Sequence, residues 1–428
     1  MESYNSGKLY IRKRTLPEWF TVYIFIMPFL LSMFMEFLGV PSFIKYTVDA
    51  AWVGIFLILF ARKRILLEKK VTPFVVFAGI FLLYVTVVYL FNYQSVFYFL
   101  WGVRNNFRFY IAFFAFAIFF EEDDIKSCFK IVDVLFWVNA LVSLFQFFAM
   151  GYRQDYLGGI FGVGRGCNAY SIVLFVLVVA RSVLSYMNGV EKPLLCFLKC
   201  ATTLLIAAMA ELKFYFVIFV LILILSGAFT KFSWRKILIF FIMAIMIMLA
   251  GSILTVIFGE GEALTLTRIW ELATATSYAS TEDMGRFTAI PTVSNRFLLD
   301  FPSRMFGKGI GNCDTSAFAI CNTPFFEAYS DLRYNWFSSA FLYLEMGVLG
   351  LVFNLAFYVI TFIFARVCYK RGTSNPLFCQ IAMIFAIISI ILTFYNASMR
   401  KEVAYIAYFA MALPLIAYNP GRTTGEQE

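Results

Sequence analysis

Six cations in one polar segment set the first chemical expectation. Residues 259–334 carry Arg268, Arg286, Arg296, Arg304, Lys308 and Arg333, interleaved with Glu271, Glu282, Asp283, Asp300, Asp314, Glu327 and Asp331. Arginine is always charged and presents a planar fork of donors that fits phosphate oxygens. Mixed charge also belongs to an ordinary solvated loop, so the segment alone leaves two readings, solvated loop or seat for an anion. A second element bears on the choice. In Ala210-Glu211-Leu212-Lys213-Phe214 two long apolar runs meet at one Glu and one Lys, with no Gly or Pro turn. An ion pair capping two helices accounts for it. A charge held this close to hydrocarbon is equally a functional candidate, and this lysine would face a lipid diphosphate rather than bulk water. A third polar stretch, 151–168, is glycine-rich and carries Arg153 and Arg165.

What is missing narrows the chemistry. The chain has no histidine, which removes Ser-His-Asp triads and His-ligated zinc or haem. The eight cysteines form no Cys-x-x-Cys pair, and Cys196 and Cys200, four apart in an apolar run, read as helix packing rather than metal ligands. No carboxylate cluster has divalent-ion spacing, so we expect no metal and no cofactor. Cys313 and Cys321 are the two cysteines of the long segment, and they imply either a loop-closing disulfide or two free buried thiols.

The elements that must position these residues are apolar. Of 428 residues, 62% are hydrophobic and 14% charged, far from the roughly 45–50% and 25% of soluble chains. The expected fold is all-α and polytopic in a membrane, a single domain over 1–428 with about 12 transmembrane helices. The apolar runs are 19–38, 44–61, 73–91, 107–120, 128–150, 169–187, 194–210, 212–230, 237–258, 336–365, 377–395 and 403–418. The first reads as an uncleaved span, since no small-residue cleavage site follows it. The fourth is short and has Arg108 near its start. The tenth is too long for one straight span and contains Gly347 and Gly350, so a tilt, a kink or an interfacial start is expected. Continuous runs rather than alternation exclude a β-barrel.

Charge orients the set. With the N-terminus inside, the inside segments hold 20 Lys and Arg, against 8 outside once the long segment is left out of the count. Both termini are then expected in the cytoplasm. Segment 151–168 becomes extracytoplasmic loop 3, and 259–334 becomes a large extracytoplasmic loop 5 between helices 9 and 10, built of short helices near the outer surface.

At this point the residues resemble a family. The layout is similar to the Wzy-type O-antigen polymerases and the related O-antigen ligases. Gly285-Arg286, followed by Gly307-Lys308-Gly309-Ile310-Gly311-Asn312, resembles the family's loop pattern of an Arg and a later Gly-x-Gly. Glu345-Met346-Gly347-Val348-Leu349-Gly350 resembles its Glu-x-Gly-x-x-Gly at the next span, and Lys213 stands where a basic residue often follows a short helical break. An Arg, ten residues and a Gly recur as Arg153 to Gly164 and as Arg296 to Gly307, one match in each of the two expected loops.

The resemblance implies a metal-independent, inverting membrane glycosyltransferase. It would join undecaprenyl-diphosphate-linked oligosaccharide repeat units at the outer face of the bacterial inner membrane, as in O-antigen or exopolysaccharide synthesis. Lys213, Arg286 and Arg296 would bind the diphosphate, with Arg304 beside them, and Arg153 and Arg165 would hold the second chain. The implied partners are that lipid-linked oligosaccharide, membrane lipids, and proteins of the flippase and chain-length-regulator kind; nucleic acid is not among them. The ligases place a His near the end of the large loop, where this chain reads Asp331-Leu332-Arg333-Tyr334-Asn335-Trp336. That departure leaves Glu327 or Asp331 as the candidate catalytic base, on one helix face at i, i+4 with Asn335 continuing it. A ligase, and a lipid-linked oligosaccharide flippase or other transporter, remain the alternatives. The transporter would use charges within spans such as Asp133 and Lys199, but these lie nearer the inner ends.

Overall fold

A lipid-embedded backbone must satisfy its own polar groups, and a single apolar run can do so only as a helix. The chain takes that solution throughout its described residues, which in this computed structural model are 14–61, 69–92, 94–231, 233–259, 271, 274–275, 283–316 and 318–421. Arg268 and Glu282 lie outside them, as do seven of the 20 cations counted on the inside, Lys8, Arg12, Lys13, Arg62, Lys63, Arg64 and Arg422. The long helices are α1 (Leu16–Glu36), α2 (Lys45–Ala61), α3 (Thr72–Asn92), α4 (Val96–Phe119), α5 (Glu122–Phe148), α6 (Asn168–Met187), α7 (Pro193–Met209), α8 (Lys213–Phe229) and α9 (Trp234–Phe258). Three short helices follow, α10 (Ala289–Phe297), α11 (Phe301–Phe306) and α12 (Pro324–Tyr329), and then α13 (Ser338–Arg371), α14 (Pro376–Tyr395) and α15 (Ala404–Ile416). Each apolar run of the sequence coincides with one long helix. Seven of these helices are long and apolar enough to cross a membrane, and three shorter ones are apolar. The protein is an α-helical membrane protein.

Burial divides the helices into inner and outer ones. Every residue of α15 is buried, as are most of α6 and α14. Helices α2, α3 and α9 bury a single stripe and expose large apolar side chains outward, among them Phe60, Phe91 and Val256. An apolar outer surface of this extent is what a lipid solvent favours. The interior is packed with aromatic rings: Phe357 meets Phe113 at 5.1 Å, Tyr110 at 4.7 Å and Tyr408 at 5.4 Å. Four charges inside the bundle pair with one another. Lys199 reaches Asp133 at 3.0 Å and Glu191 at 3.1 Å, and Arg181 reaches Asp133 at 2.9 Å.

Two helices depart from the sequence expectation. Helix α4 begins at Val96, not near 107, so it is 24 residues long. Arg104, Asn105, Asn106 and Arg108 break the apolar run without breaking the helix, because their partners are groups of the protein: the side chains of Asp49, Asp314 and Glu402 and the carbonyls of Gly102 and Arg400. Helix α13 is broken at Gly347 (φ 65°, ψ −169°). A Cβ there would lie 2.2 Å from the Met305 carbonyl oxygen. Only glycine allows so close an approach at that backbone angle.

The described residues of the two polar segments pack onto the bundle. In 151–168, the buried amide of Gln146 donates to the Gly159 carbonyl at 2.9 Å and accepts from the Gly159 N–H at 2.8 Å, while Asn139 accepts from the Ile160 N–H at 3.0 Å. The segment Gly307–Gly311 passes between α4 and the break in α13. The Lys308 N–H donates to the Leu344 carbonyl at 3.0 Å and the Gly309 N–H to the Glu345 carbonyl at 2.8 Å. The carboxylate of fully buried Glu345 accepts the Cys313 N–H at 3.1 Å. Cys313 and Cys321 are both free and buried, and no disulfide closes the loop.

Candidate functional site

Two adjoining cavities open where these loops meet the helix ends. The first has a volume of about 380 Å³ and lies between α1, α2, α4, the Asp314 loop and the α14–α15 connection. Five cations line it, namely Lys45, Arg104, Arg108, Arg400 and Lys401, against two carboxylates, Asp314 and Glu402. Helix α4 supplies two of the arginines four residues apart, hence on one face. Arg104 pairs with Asp49 and lies 4.7 Å from the Trp101 ring. Arg108, 4% exposed, donates to Glu402 at 3.1 Å and to the Arg400 carbonyl at 3.3 Å. Asn105 donates to Asp314 at 2.7 Å.

The loop Ala397–Val403 supplies two more of the cations and one of the carboxylates. It drops Arg400, Lys401 and Glu402 into the protein between two apolar helices. The Arg400 guanidinium lies over Phe341, 3.1 Å from the ring centre, and its buried Nη1 has no hydrogen-bond partner. Burial lowers the Arg400 pKa, against the pull of Asp314 and Glu345. Lys401 is lowered for the same reason, with Glu402 and Asp314 opposing. Its surface is nevertheless open, because what it faces is the cavity. Burial by itself would raise the Glu402 carboxyl; Arg108 and Lys401 outweigh that and hold it at about 2. Glu402 therefore stays ionised, and the buried Nη1 of Arg400 is left without a hydrogen-bond partner in the wall of the cavity.

The second cavity, about 290 Å³, shares Tyr170, Asn335 and Lys401 with the first. Besides Lys401 its cations are Arg165 and Arg286, and its carboxylates are Asp155 and Glu211. Aromatic faces hold both guanidinium groups. Arg286 lies 4.6 Å from the Tyr395 ring centre, and Arg165 lies 5.1 Å from that of Trp336. Glu211, at φ 53°, pairs with Lys213 at 3.0 Å. With Asn168 and Asn396 also in the wall, the cavity combines rings, amides and carboxylates, a lining suited to hydroxyl-rich ligands.

The sequence candidates separate accordingly. Arg165 and Arg286 line the second cavity, and Lys213 stands behind it through Glu211. Arg153, Arg296 and Arg304 line neither cavity. Arg153 lies over Phe147, Arg296 lies over Phe297 and Tyr329, and Arg304 donates to the Leu298 carbonyl at 2.9 Å. Glu327 and Asp331 are exposed and also line neither. The helix face expected to carry them with Asn335 does not form. Helix α12 ends at Tyr329, a 3-10 turn covers Ser330–Leu332, and Arg333 turns left-handed at φ 54°. Asn335 alone of the three reaches the cavities. The residues that the sequence reading passed over are Lys45, Arg104, Arg400, Lys401 and Glu402. Their signal was present, since charges set beside apolar runs mark sites in membrane proteins.

No protein-family model matches the chain, and no curated protein matches it.

Proposed function

We propose that the protein is a membrane glycosyltransferase that polymerises polyprenyl-diphosphate-linked oligosaccharide repeat units at the outer face of the bacterial inner membrane. The observation that supports this most is the first cavity, in which five cations face two carboxylates at one end of an apolar bundle. A lipid-borne diphosphate suits that charge at that place. The second cavity, less cationic and richer in amides, takes the sugar that carries the attacking hydroxyl.

The chemistry is one displacement. The hydroxyl oxygen forms a bond to the anomeric carbon as the carbon–oxygen bond to the diphosphate breaks, with inversion. The bonding electrons leave with the diphosphate oxygen, and the hydroxyl proton passes to the departing diphosphate. Arg108, Arg400 and Lys401 act by holding the charge that develops there, and Lys401 stands where the two cavities join. Prearranged cations of this kind lower the barrier without a metal and without a carboxylate base. A transport reading draws less support. It would need a polar path along the bundle, and among the described residues Tyr110, Phe357, Tyr358 and Tyr408 pack ring against ring in the buried core.

The test is polysaccharide ladder length by gel, normalised to membrane-inserted protein. Arg286→Ala and Lys401→Ala should lose long-chain product at equal protein level. Arg296→Ala, whose guanidinium lies outside both cavities, should keep it. Wild-type ladders from Arg286→Ala and Lys401→Ala alike would overturn the proposal.

A further inference from the structure

An apolar groove of about 530 Å³ runs between α1 and α2, walled by Phe20, Tyr23 and Met27 on one side and by Thr47, Ala50 and Ala51 on the other. The same face of α1 goes on into the cationic cavity. Phe20, Tyr23, Met27, Leu31 and Met35 are spaced by three or four residues and so form one stripe, whose last two members line that cavity. On α2 the order is repeated: Ala51, Ala50 and Thr47 belong to the groove, and Tyr46 and Lys45 to the cavity. From Phe20 to Met35 the stripe rises about 22 Å, most of a hydrocarbon core of about 30 Å. The small residues on α2 are what leave the space open. Trp19, at the far end, is 55% exposed, so the groove is open to its surroundings along the outer surface.

We infer that this groove holds the prenyl chain of the lipid whose diphosphate sits in the cationic cavity. The inference rests on the function proposed above and adds where the lipid enters and lies. Three observations point to this occupant. The groove is apolar apart from a hydrogen bond between the Tyr23 and Thr47 hydroxyls, the α1 stripe that walls it runs on to line the cavity, and the start of α2 carries Lys45 on the side where a phosphate would arrive. Lipid tails are as apolar as the groove, so the groove contributes little affinity. Its effect is to orient the chain, so that the diphosphate reaches Arg104 and Arg108 from the membrane side.

The full chain in nanodiscs tests this with a polyprenyl diphosphate carrying a diazirine in the head-proximal half of its chain. Label is expected on Trp19–Met27 and Thr47–Ala51, displaced by unlabelled polyprenyl diphosphate but not by phosphatidylglycerol. Ala50→Trp, or the smaller Ala50→Leu, fills the groove from an exposed position on α2. Either should abolish that label while binding of inorganic pyrophosphate is kept. Label on other helices, or displacement by phosphatidylglycerol, with pyrophosphate binding intact, would overturn the groove and leave the proposed function standing. Failure of the wild type to bind pyrophosphate at all would remove the function on which the groove depends, and the groove with it.

Discussion

Glu402 and Arg108 are bonded to each other, yet an anion site requires that their removal have opposite effects. Glu402→Gln takes one of two carboxylates from the first cavity, and Arg108→Gln takes one of five cations. Two unit charges about 6 Å apart at an effective dielectric constant of about 20 interact by about 3 kcal/mol. Water in the cavity and salt reduce this to about 1–2 kcal/mol, or roughly tenfold in affinity. Glu402→Gln should therefore bind inorganic pyrophosphate roughly tenfold more tightly, and Arg108→Gln at least tenfold more weakly. Stability should follow a different order. Breaking a buried pair costs up to about 3–5 kcal/mol, chiefly through the charge left behind. The side chain of Arg108 is 5% exposed and that of Glu402 31%. Stranding the arginine therefore costs more, and Glu402→Gln should be the less stable of the two variants. Calorimetric titration of the purified full chain with pyrophosphate at fixed salt, beside thermal unfolding of the same samples, reads both quantities. If Glu402→Gln weakens binding as Arg108→Gln does, the pair merely holds the loop and the cavity is not an anion site.

Three further outcomes follow from the same geometry. The Glu402 carboxyl is held at about 2, below its ordinary 4.5, so the stability it contributes is complete above about pH 4.5 and lost as pH falls through about 2; the wild-type unfolding temperature should decline across that window, with a shallower slope in Glu402→Gln. Gly311→Ala should prevent accumulation of folded protein, since its Cβ would lie 1.9 Å from the Tyr98 carbonyl oxygen at φ +84°, and strain plus overpacking amount to at least about 2 kcal/mol; wild-type levels of the variant would mean that the loop does not pass there. Burial pushes the Cys313 thiol up, so Cys313 should resist alkylation in the folded protein, and both Cys313 and Cys321 should alkylate on unfolding without reductant. A disulfide-linked peptide in the mass map would contradict the free thiols.

How much of this was legible beforehand depends on which signal each residue carries. Apolar runs gave the long helices and the membrane class directly, because hydrocarbon length and continuous hydropathy are local properties. The cationic cavity was less legible because its cations sit in short breaks of those runs. Arg104 and Arg108 looked like the flank of a short span, although their spacing already put both on one helix face. Arg400 and Lys401 served only as outside charges in a topology count. The long loop drew attention by length, and its Arg296 and Arg304 proved to be held by the loop's own Phe297, Tyr329 and Leu298. The glycine patterns carried more than could be read from them singly. A Cβ on Gly307 would meet the Glu345 carbonyl at 2.5 Å, and one on Gly347 would meet Met305 at 2.2 Å. The Gly-x-Gly of the loop and the Glu-x-Gly of the next helix are thus two halves of one contact. That contact breaks α13, lets the buried Glu345 carboxylate accept the Cys313 N–H, and sets Asp314, one residue on, in the cavity wall beside Arg400. Spacing marked both halves, but only the fold shows that the second motif shapes the cavity through the first.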